Sequence, residues 1–304
     1  MKSLSGKTCL ITGAGSGIGR ELAFGLHKEG MRLFVSDIHA RNLEATVARL
    51  RESGAEVHGA PCDVSQKLEQ ENLRGRFYEK YETLDLLINN AGIGGGGFAH
   101  ELPETQWERL LAVNTWSIIY ALQVFLPDML EKNHGHFVST GSGAGVVGIP
   151  FHIHYIASKF AVSGITEALH SEYKLRFPGV DFSVIVPTQI KTNIVDSADL
   201  TNLVKYLNGV TEDALEGWIK AFKKSYASRH AQGGVPLETA VSRYIQGIKK
   251  KRLYITDSPR LRLAMIIKGI SGGLYKRVLQ RQAMKDLTNI RNSLKEIGIE
   301  GDML

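Results

Sequence analysis

Short apolar runs alternate along this chain with longer stretches in which apolar residues recur every three to four positions. Strands are predicted near Lys7–Thr12, Met31–Ser36, Glu56–Ala60, Leu84–Asn89, His136–Ser139 and Asp181–Val186, each separated from the next by a helix-length segment. That βαβ rhythm predicts an α/β fold with a doubly wound parallel sheet. The longest helical patterns cover Pro103–Lys132, with a break or kink expected at Pro127, and His152–Phe177, which ends ahead of Pro178-Gly179. After Pro187 the rhythm changes. Residues 188–235 contain no convincing strand and read as loop plus helices, with apolar positions such as Leu200, Leu203, Leu207, Leu215, Trp218 and Phe222, as expected of a lid over a substrate. A helix then starts near Pro236-Leu237-Glu238, and Arg252–Thr256 is the last predicted strand.

Composition narrows the class. With 304 residues, 43% hydrophobic and 22% charged, the chain is long enough for one large core and ordinary for a water-soluble globular protein. Two cysteines, Cys9 in a strand and Cys62 beside Asp63, make neither a disulfide framework nor a metal-ligand spacing, as in a reducing compartment. The first seven residues hold no apolar signal core, so the expected location is cytoplasmic or peripheral to a membrane. The net charge of +6 is unevenly placed: residues 219–304 carry 18 Lys and Arg against 6 Asp and Glu, whereas residues 1–218 carry 19 against 25.

The first strand runs into Thr12-Gly13-Ala14-Gly15-Ser16-Gly17-Ile18-Gly19, and a helix follows. In that context glycines let the backbone approach a pyrophosphate, whose charge is met by the amides of the helix N-terminus, as in a Rossmann-type fold. Gly13, Ser16, Gly17, Ile18 and Gly19 are therefore candidate cofactor contacts. Asp37 ends the second strand, 18 residues after Gly19, where a carboxylate hydrogen-bonds the adenosine ribose and repels a 2′-phosphate. This favours NAD over NADP, with Arg41 the nearby cation that argues the other way. Asp63 and Val64, after the third strand, are placed to touch adenine, unless Asp63 is a loop acid or helix cap.

Tyr155 and Lys159 stand four residues apart, on one face of a helix, with Ser142 thirteen residues before the tyrosine. A neighbouring ammonium favours the ionised phenol and makes it a usable acid or base near neutral pH. Together with Asn89-Asn90-Ala91-Gly92 after the fourth strand and Asn114 in the next helix, these residues resemble the short-chain dehydrogenase/reductase family in its roughly 250-residue form. The resemblance runs from about Leu4 to Thr256, leaving residues 257–304 as an extension to a catalytic domain of residues 1–256.

The resemblance implies hydride transfer between nicotinamide and a carbonyl or carbinol carbon. Tyr155 would exchange the oxygen proton, Ser142 would hydrogen-bond that oxygen, and Lys159 would lower the Tyr155 pKa and hold the nicotinamide ribose. Asn90, Ala91 and Gly92 would brace the cofactor, and Asn114 would bend its helix to hold a water in a proton relay. Ser139 shares the strand end with Ser142, but only Ser142 has the family's spacing from the tyrosine. Pro187, Ile190 and Thr192 take the positions that border the nicotinamide. One departure stands out: Thr188 follows Pro187 where the family commonly has glycine, so the loop is expected to take a different path. His134, His136, His152 and His154 cluster in sequence, but no carboxylate or cysteine accompanies them at ligand spacing, and no metal is expected.

Gly143–Phe151, Gly94–Phe98 and the apolar lid positions are mostly bulky and uncharged, which suits a hydrophobic alcohol or ketone better than a phosphorylated sugar. The tail is apolar and basic over residues 260–281, and three occupants compete for it: an anionic membrane surface, a partner subunit or the lid, and nucleic acid. Gly269, Gly272 and Gly273 interrupt any single long helix there. The expected protein is an NAD-dependent alcohol dehydrogenase or ketone reductase, a homodimer or homotetramer. An NADP enzyme and a non-catalytic NAD-binding regulator acting through the basic tail are its rivals.

Overall fold

The computed structural model describes residues 3–97, 99–188, 190, 217, 220 and 235–295. Its elements are β1 (Thr8–Thr12), α1 (Gly17–Lys28), β2 (Arg32–Asp37), α2 (Ala40–Glu52), β3 (Val57–Pro61), α3 (Lys67–Tyr78), β4 (Leu86–Asn89), α4 (Glu104–Leu111), α5 (Ser117–Glu131), β5 (Gly135–Thr140), α6 (Ile153–Tyr173), β6 (Val180–Val186), α7 (Leu237–Lys249), β7 (Tyr254–Thr256), α8 (Pro259–Ile270) and α9 (Gly272–Lys295). The seven strands form one sheet in the order β3-β2-β1-β4-β5-β6-β7, and every pairing is parallel. It is a doubly wound, Rossmann-like sheet. The strand order reverses between β1 and β4, which opens a crevice at their carboxyl ends.

Alternation along the strands divides the core in two. On β1, Cys9 and Ile11 enter the cluster shared with α1, α2 and α7, whereas Leu10 enters the one shared with α3, α5 and α6. On β4, Leu86 and Ile88 take the first side and Leu87 the second. Because both faces are covered, the strands read as continuous apolar runs. Phe77, Phe125, Phe137 and Phe182 fill the second cluster, each fully buried and each contributing about 1.5–3 kcal/mol over exposure. Gly25 lets α1 and α7 approach: a Cβ there would lie 2.6 Å from Ile245.

The helix before β5 departs from expectation. It runs through Pro127 unbroken, held by Phe125, Leu126 and Met129 in the core. Its irregularity lies earlier, where Ala112–Trp116 form a π turn between α4 and α5. From Glu104 to Glu131 this helix is long and apolar enough to cross a membrane, but half of its apolar stretch is buried in the fold. The tail breaks at Ser271, between α8 and α9. Most of the expected lid, Thr192 included, lies outside the described residues.

Both cysteines are buried, and burial raises both thiols, Cys62 to about 12. They are packing residues and poor nucleophiles.

Candidate active site

The crevice is built from the glycine turn, the Asn89–Gly92 turn, the end of β5 and the first turns of α6. Thr12 and Asn90 join the first two. The Thr12 hydroxyl accepts from the amides of Asn90 (3.1 Å) and Ala91 (3.2 Å), while Asn90 Nδ2 donates to the carbonyls of Thr12 (3.1 Å) and Gly13 (3.2 Å). That contact leaves no room for side chains. A Cβ on Gly13, whose φ is +65°, would lie 2.7 Å from Ala91 Cα, and one on Gly19 would lie 2.3 Å from the Gly13 carbonyl. Ser16 caps α1 without its hydroxyl bonding the helix, so the amides of the first turn are not satisfied by their own cap.

Asp37 closes the β2 side of this turn. One carboxylate oxygen accepts from the Gly15 amide (2.8 Å) and the other from the His39 amide (2.9 Å), which leaves lone pairs on both. Arg20 reaches the same turn, donating to the Gly15 carbonyl and to Thr46 Oγ1. Beyond β3, Asp63 Oδ1 accepts from the Ser65 amide (2.9 Å) and hydroxyl (2.7 Å), an Asx turn ahead of α3. Val64 is buried in the second core cluster and Ile190 in the first, so the side chains of both pack inward.

The residues that could move a proton meet on the other side of the crevice. Ser142 ends the turn after β5; its oxygen accepts from the Ala144 amide (3.1 Å), and it is close enough to the half-buried Tyr155 phenol to oppose the rise in that group's pKa. Lys159 Nζ lies 5.9 Å from the Tyr155 ring centre and donates to the Thr140 carbonyl at 2.9 Å. The direction expected of the tyrosine is reversed here. Burial raises the Tyr155 pKa, with Ser142 opposing it, and burial lowers Lys159 to about 8. Lys159 donates to a backbone carbonyl, and burial is the larger influence on the phenol, raising its pKa where the neighbouring ammonium was expected to lower it.

Asn114 occupies the π turn. Its side chain bonds both backbone groups of Ile93 and donates to Ser158 Oγ (3.1 Å), which in turn donates to the Tyr155 carbonyl (2.7 Å). A Cβ on Gly92 would lie 3.1 Å from Asn114 Oδ1 and 3.3 Å from Lys159 Nζ, so both polar groups border one small space. Ser139 does not join them; it is buried within β5.

These observations fit a dinucleotide: a cradle that any Cβ would fill, an uncapped helix N-terminus and a carboxylate at the end of β2. A family model described as short chain dehydrogenase matches residues 7–202. The chain belongs to that family of oxidoreductases. This short-chain dehydrogenase is 30% identical over 260 residues to a CLA biosynthesis dehydrogenase/reductase of Lactiplantibacillus plantarum, covering 85% of this chain and 90% of that one. It is 33% identical over 243 residues to estradiol 17-beta-dehydrogenase 11 of Rattus norvegicus, covering 80% of each. A short-chain dehydrogenase from Burkholderia phymatum, solved in complex with NAD, superimposes with a TM-score of 0.77 at 30% identity, covering 88% of this chain and 95% of that one.

Three residues of this dehydrogenase carry the site without having been singled out in its sequence: Thr12, Thr140 and Asp257. Each acts through a contact distant in the chain. Asp257 is buried and accepts from the Thr188 amide (3.0 Å), the Thr188 hydroxyl and the Tyr244 hydroxyl (2.7 Å). Thr188 therefore starts its loop pinned to the end of β7, without the positive φ that glycine would allow. Pro187 just before it accepts from the Gly143 amide (2.8 Å), tying that loop to the Ser142 turn.

The walls expected for the substrate divide. Val146 is buried in the core, whereas Phe151 stands at φ +65° with its carbonyl accepting from Gly97 (2.8 Å). His152 Nδ1 lies 2.7 Å from the Gly95 carbonyl, so the glycine-rich loop is laced to the start of α6. The four histidines do not form one cluster. His134 pairs with Asp85 and His136 with Ser183 at the opening end of β5, while His152 and His154 lie at the start of α6.

Proposed function

We propose that this protein is an NAD-dependent oxidoreductase that exchanges a hydride between nicotinamide and a hydrophobic secondary alcohol or ketone. The observation that carries this is the convergence of Tyr155 and Lys159, whose Nζ lies 5.9 Å from the phenol ring centre, with Asn114, which reaches Tyr155 through Ser158, beside a glycine cradle that any Cβ would fill. NAD bound there would supply the hydride acceptor. Gly13, Gly17, Gly19 and the first-turn amides of α1 would hold the pyrophosphate, and Asp37 would take the ribose hydroxyls. Asn90, Ala91, Gly92, Pro187 and Lys159 would border the nicotinamide end, and Ile190 and Thr192 are proposed there from the family resemblance. Ser142 would orient the substrate oxygen; in reduction the protonated Tyr155 Oη would donate its proton to that oxygen as the hydride arrives, and in oxidation, the reverse, Tyr155 would first give its proton up through Lys159 and then, as the phenolate, take the substrate proton. Lys159 passes that proton on through the small polar space it shares with Asn114.

NAD is preferred to NADP in this proposal because Asp37 is buried and would face a 2′-phosphate with like charge. The substrate class rests on the uncharged walls near Phe151 and on the estradiol dehydrogenase relative. Residues 1–256 are the catalytic unit with a lid at 188–235, and residues 257–304 an extension. A homodimer or homotetramer in the cytoplasm completes the picture.

The test follows reduced nicotinamide by absorbance, with NAD or NADP and a panel of hydrophobic secondary alcohols. Tyr155→Phe should lower turnover by about a thousand-fold with NAD affinity kept. A Tyr155→Phe protein that keeps its rate would refute the chemistry and favour the NAD-binding regulator.

A further inference from the structure

Helix α8 has two unlike faces. Leu261, Met265 and Lys268, spaced four and three residues apart, lie toward the body: Leu261 and Met265 pack on the second core cluster, and Lys268 Nζ donates to the Val146 carbonyl (2.9 Å) over the Phe160 ring at 4.5 Å. On the opposite side Leu263 (57% exposed), Ile266 (55%) and Ile270 (80%) recur at three and four residues. Leu274 at the start of α9 continues the exposed apolar surface. Arg260 and Arg262 are exposed and fall on the two flanks of that stripe.

An apolar stripe between arginines is the pattern of a helix lying in a lipid interface, with the apolar side chains entering the acyl boundary and the cations meeting headgroups. A second copy of this chain fits less well. Residues 257–295 carry nine Lys and Arg against two acids, Asp257 and Asp286, and Asp257 is buried, so facing copies would bring like charges together.

We propose that the outward face of α8 seats the protein on an anionic lipid surface. The same helix is clamped to the turn that follows Ser142. Besides the Lys268 contact, a Cβ on Gly143 would touch Leu261 at 3.7 Å, and α9 adds a bond of its own, the Gly148 amide donating to the Tyr275 hydroxyl (3.2 Å). On the hydrophobic-substrate reading above, the site therefore stands beside the lipid, and an apolar alcohol reaches it from the bilayer.

The test is co-sedimentation of the full chain with phosphatidylcholine vesicles, with and without phosphatidylserine, beside NAD-linked turnover of a soluble alcohol. Binding should be about ten-fold or more tighter with phosphatidylserine and weaken with salt. The variant Leu263→Glu/Ile266→Glu/Ile270→Glu should lose vesicle binding and keep its melting temperature and soluble turnover. Three results would overturn the proposal: wild-type protein that ignores both vesicles, binding that survives the triple substitution, or a concentration-dependent dimer in sedimentation velocity that the substitution dissolves. Absent turnover with intact vesicle binding would instead count against the dehydrogenase reaction.

Discussion

Asn114 and Ile93 pair as neighbouring strands do: the Ile93 amide donates to Asn114 Oδ1 at 2.9 Å, and Asn114 Nδ2 donates to the Ile93 carbonyl at 3.0 Å. One side chain thus joins the segment after β4 to the π turn and, through Ser158, to α6 below Tyr155. Asn114→Leu keeps the branched outline, adds some bulk and removes every hydrogen bond, so it should cost about 2–4 kcal/mol in a urea melt and lower kcat more than it changes KM. Unchanged stability and rate would show that this link is dispensable.

Glycines in this chain are not alike. Gly19→Ala would drive a Cβ to 2.3 Å from the Gly13 carbonyl and 2.4 Å from Asn90 Nδ2, and should cost about 1–3 kcal/mol and most of the NAD affinity. Gly75 in α3 has nothing within 4 Å of such a Cβ, so Gly75→Ala should stabilise the protein by about 0.4–1 kcal/mol. Paired thermal melts and an NAD titration check both.

Asp37 holds the amides of Gly15 and His39 and is turned toward the glycine turn. Asp37→Ser should weaken NAD and relieve the repulsion of a 2′-phosphate, shifting the NAD-to-NADP ratio of kcat/KM by about ten-fold or more. A ratio that does not move would assign the choice of cofactor to other residues, with Arg20, which reaches the same turn, and Arg41 the first to substitute.

Lys159 gives stability an unusual pH dependence. Its folded pKa of about 8 lies below its ordinary value, so between roughly pH 8 and 10 the lysine binds more protons in the unfolded chain, and its contribution to stability rises with pH. From about pH 9 the buried Cys9 and Cys62 oppose and then reverse the rise, because their unfolded thiols ionise first, and above about pH 10 the raised phenols of Tyr81, Tyr244 and Tyr254 steepen the fall. The expected curve from urea melts rises from about pH 8 and peaks near about pH 9, and Lys159→Met should flatten its rise. A rise of the same size in Lys159→Met would place its source elsewhere.

Asp257 should be among the costliest side chains to remove. Asp257→Ala leaves the buried Tyr244 hydroxyl and the Thr188 amide without their acceptor and should cost about 3 kcal/mol, against about 1 kcal/mol for Thr188→Gly. Equal effects would mean that Thr188, not the tyrosine, carries the value of the contact.

Read along the chain, local pattern and turn chemistry determined the parallel sheet, its strand positions and the dinucleotide cradle, because periodicity and glycine spacing act between near neighbours. Tyr155 and Lys159 were legible for the same reason, being one helical turn apart. Their protonation was not, since burial and the distant Thr140 carbonyl set it. Pro127 misled because its cost is local while the packing of Phe125 and Met129 that absorbs it is tertiary. The Asp257 anchor of Thr188 spans 69 residues, and the outward face of α8 emerges only once its other face is docked. Spacing in the sequence determined which groups share an element; the tertiary fold decided which of them touch, which are desolvated and which remain turned to the outside.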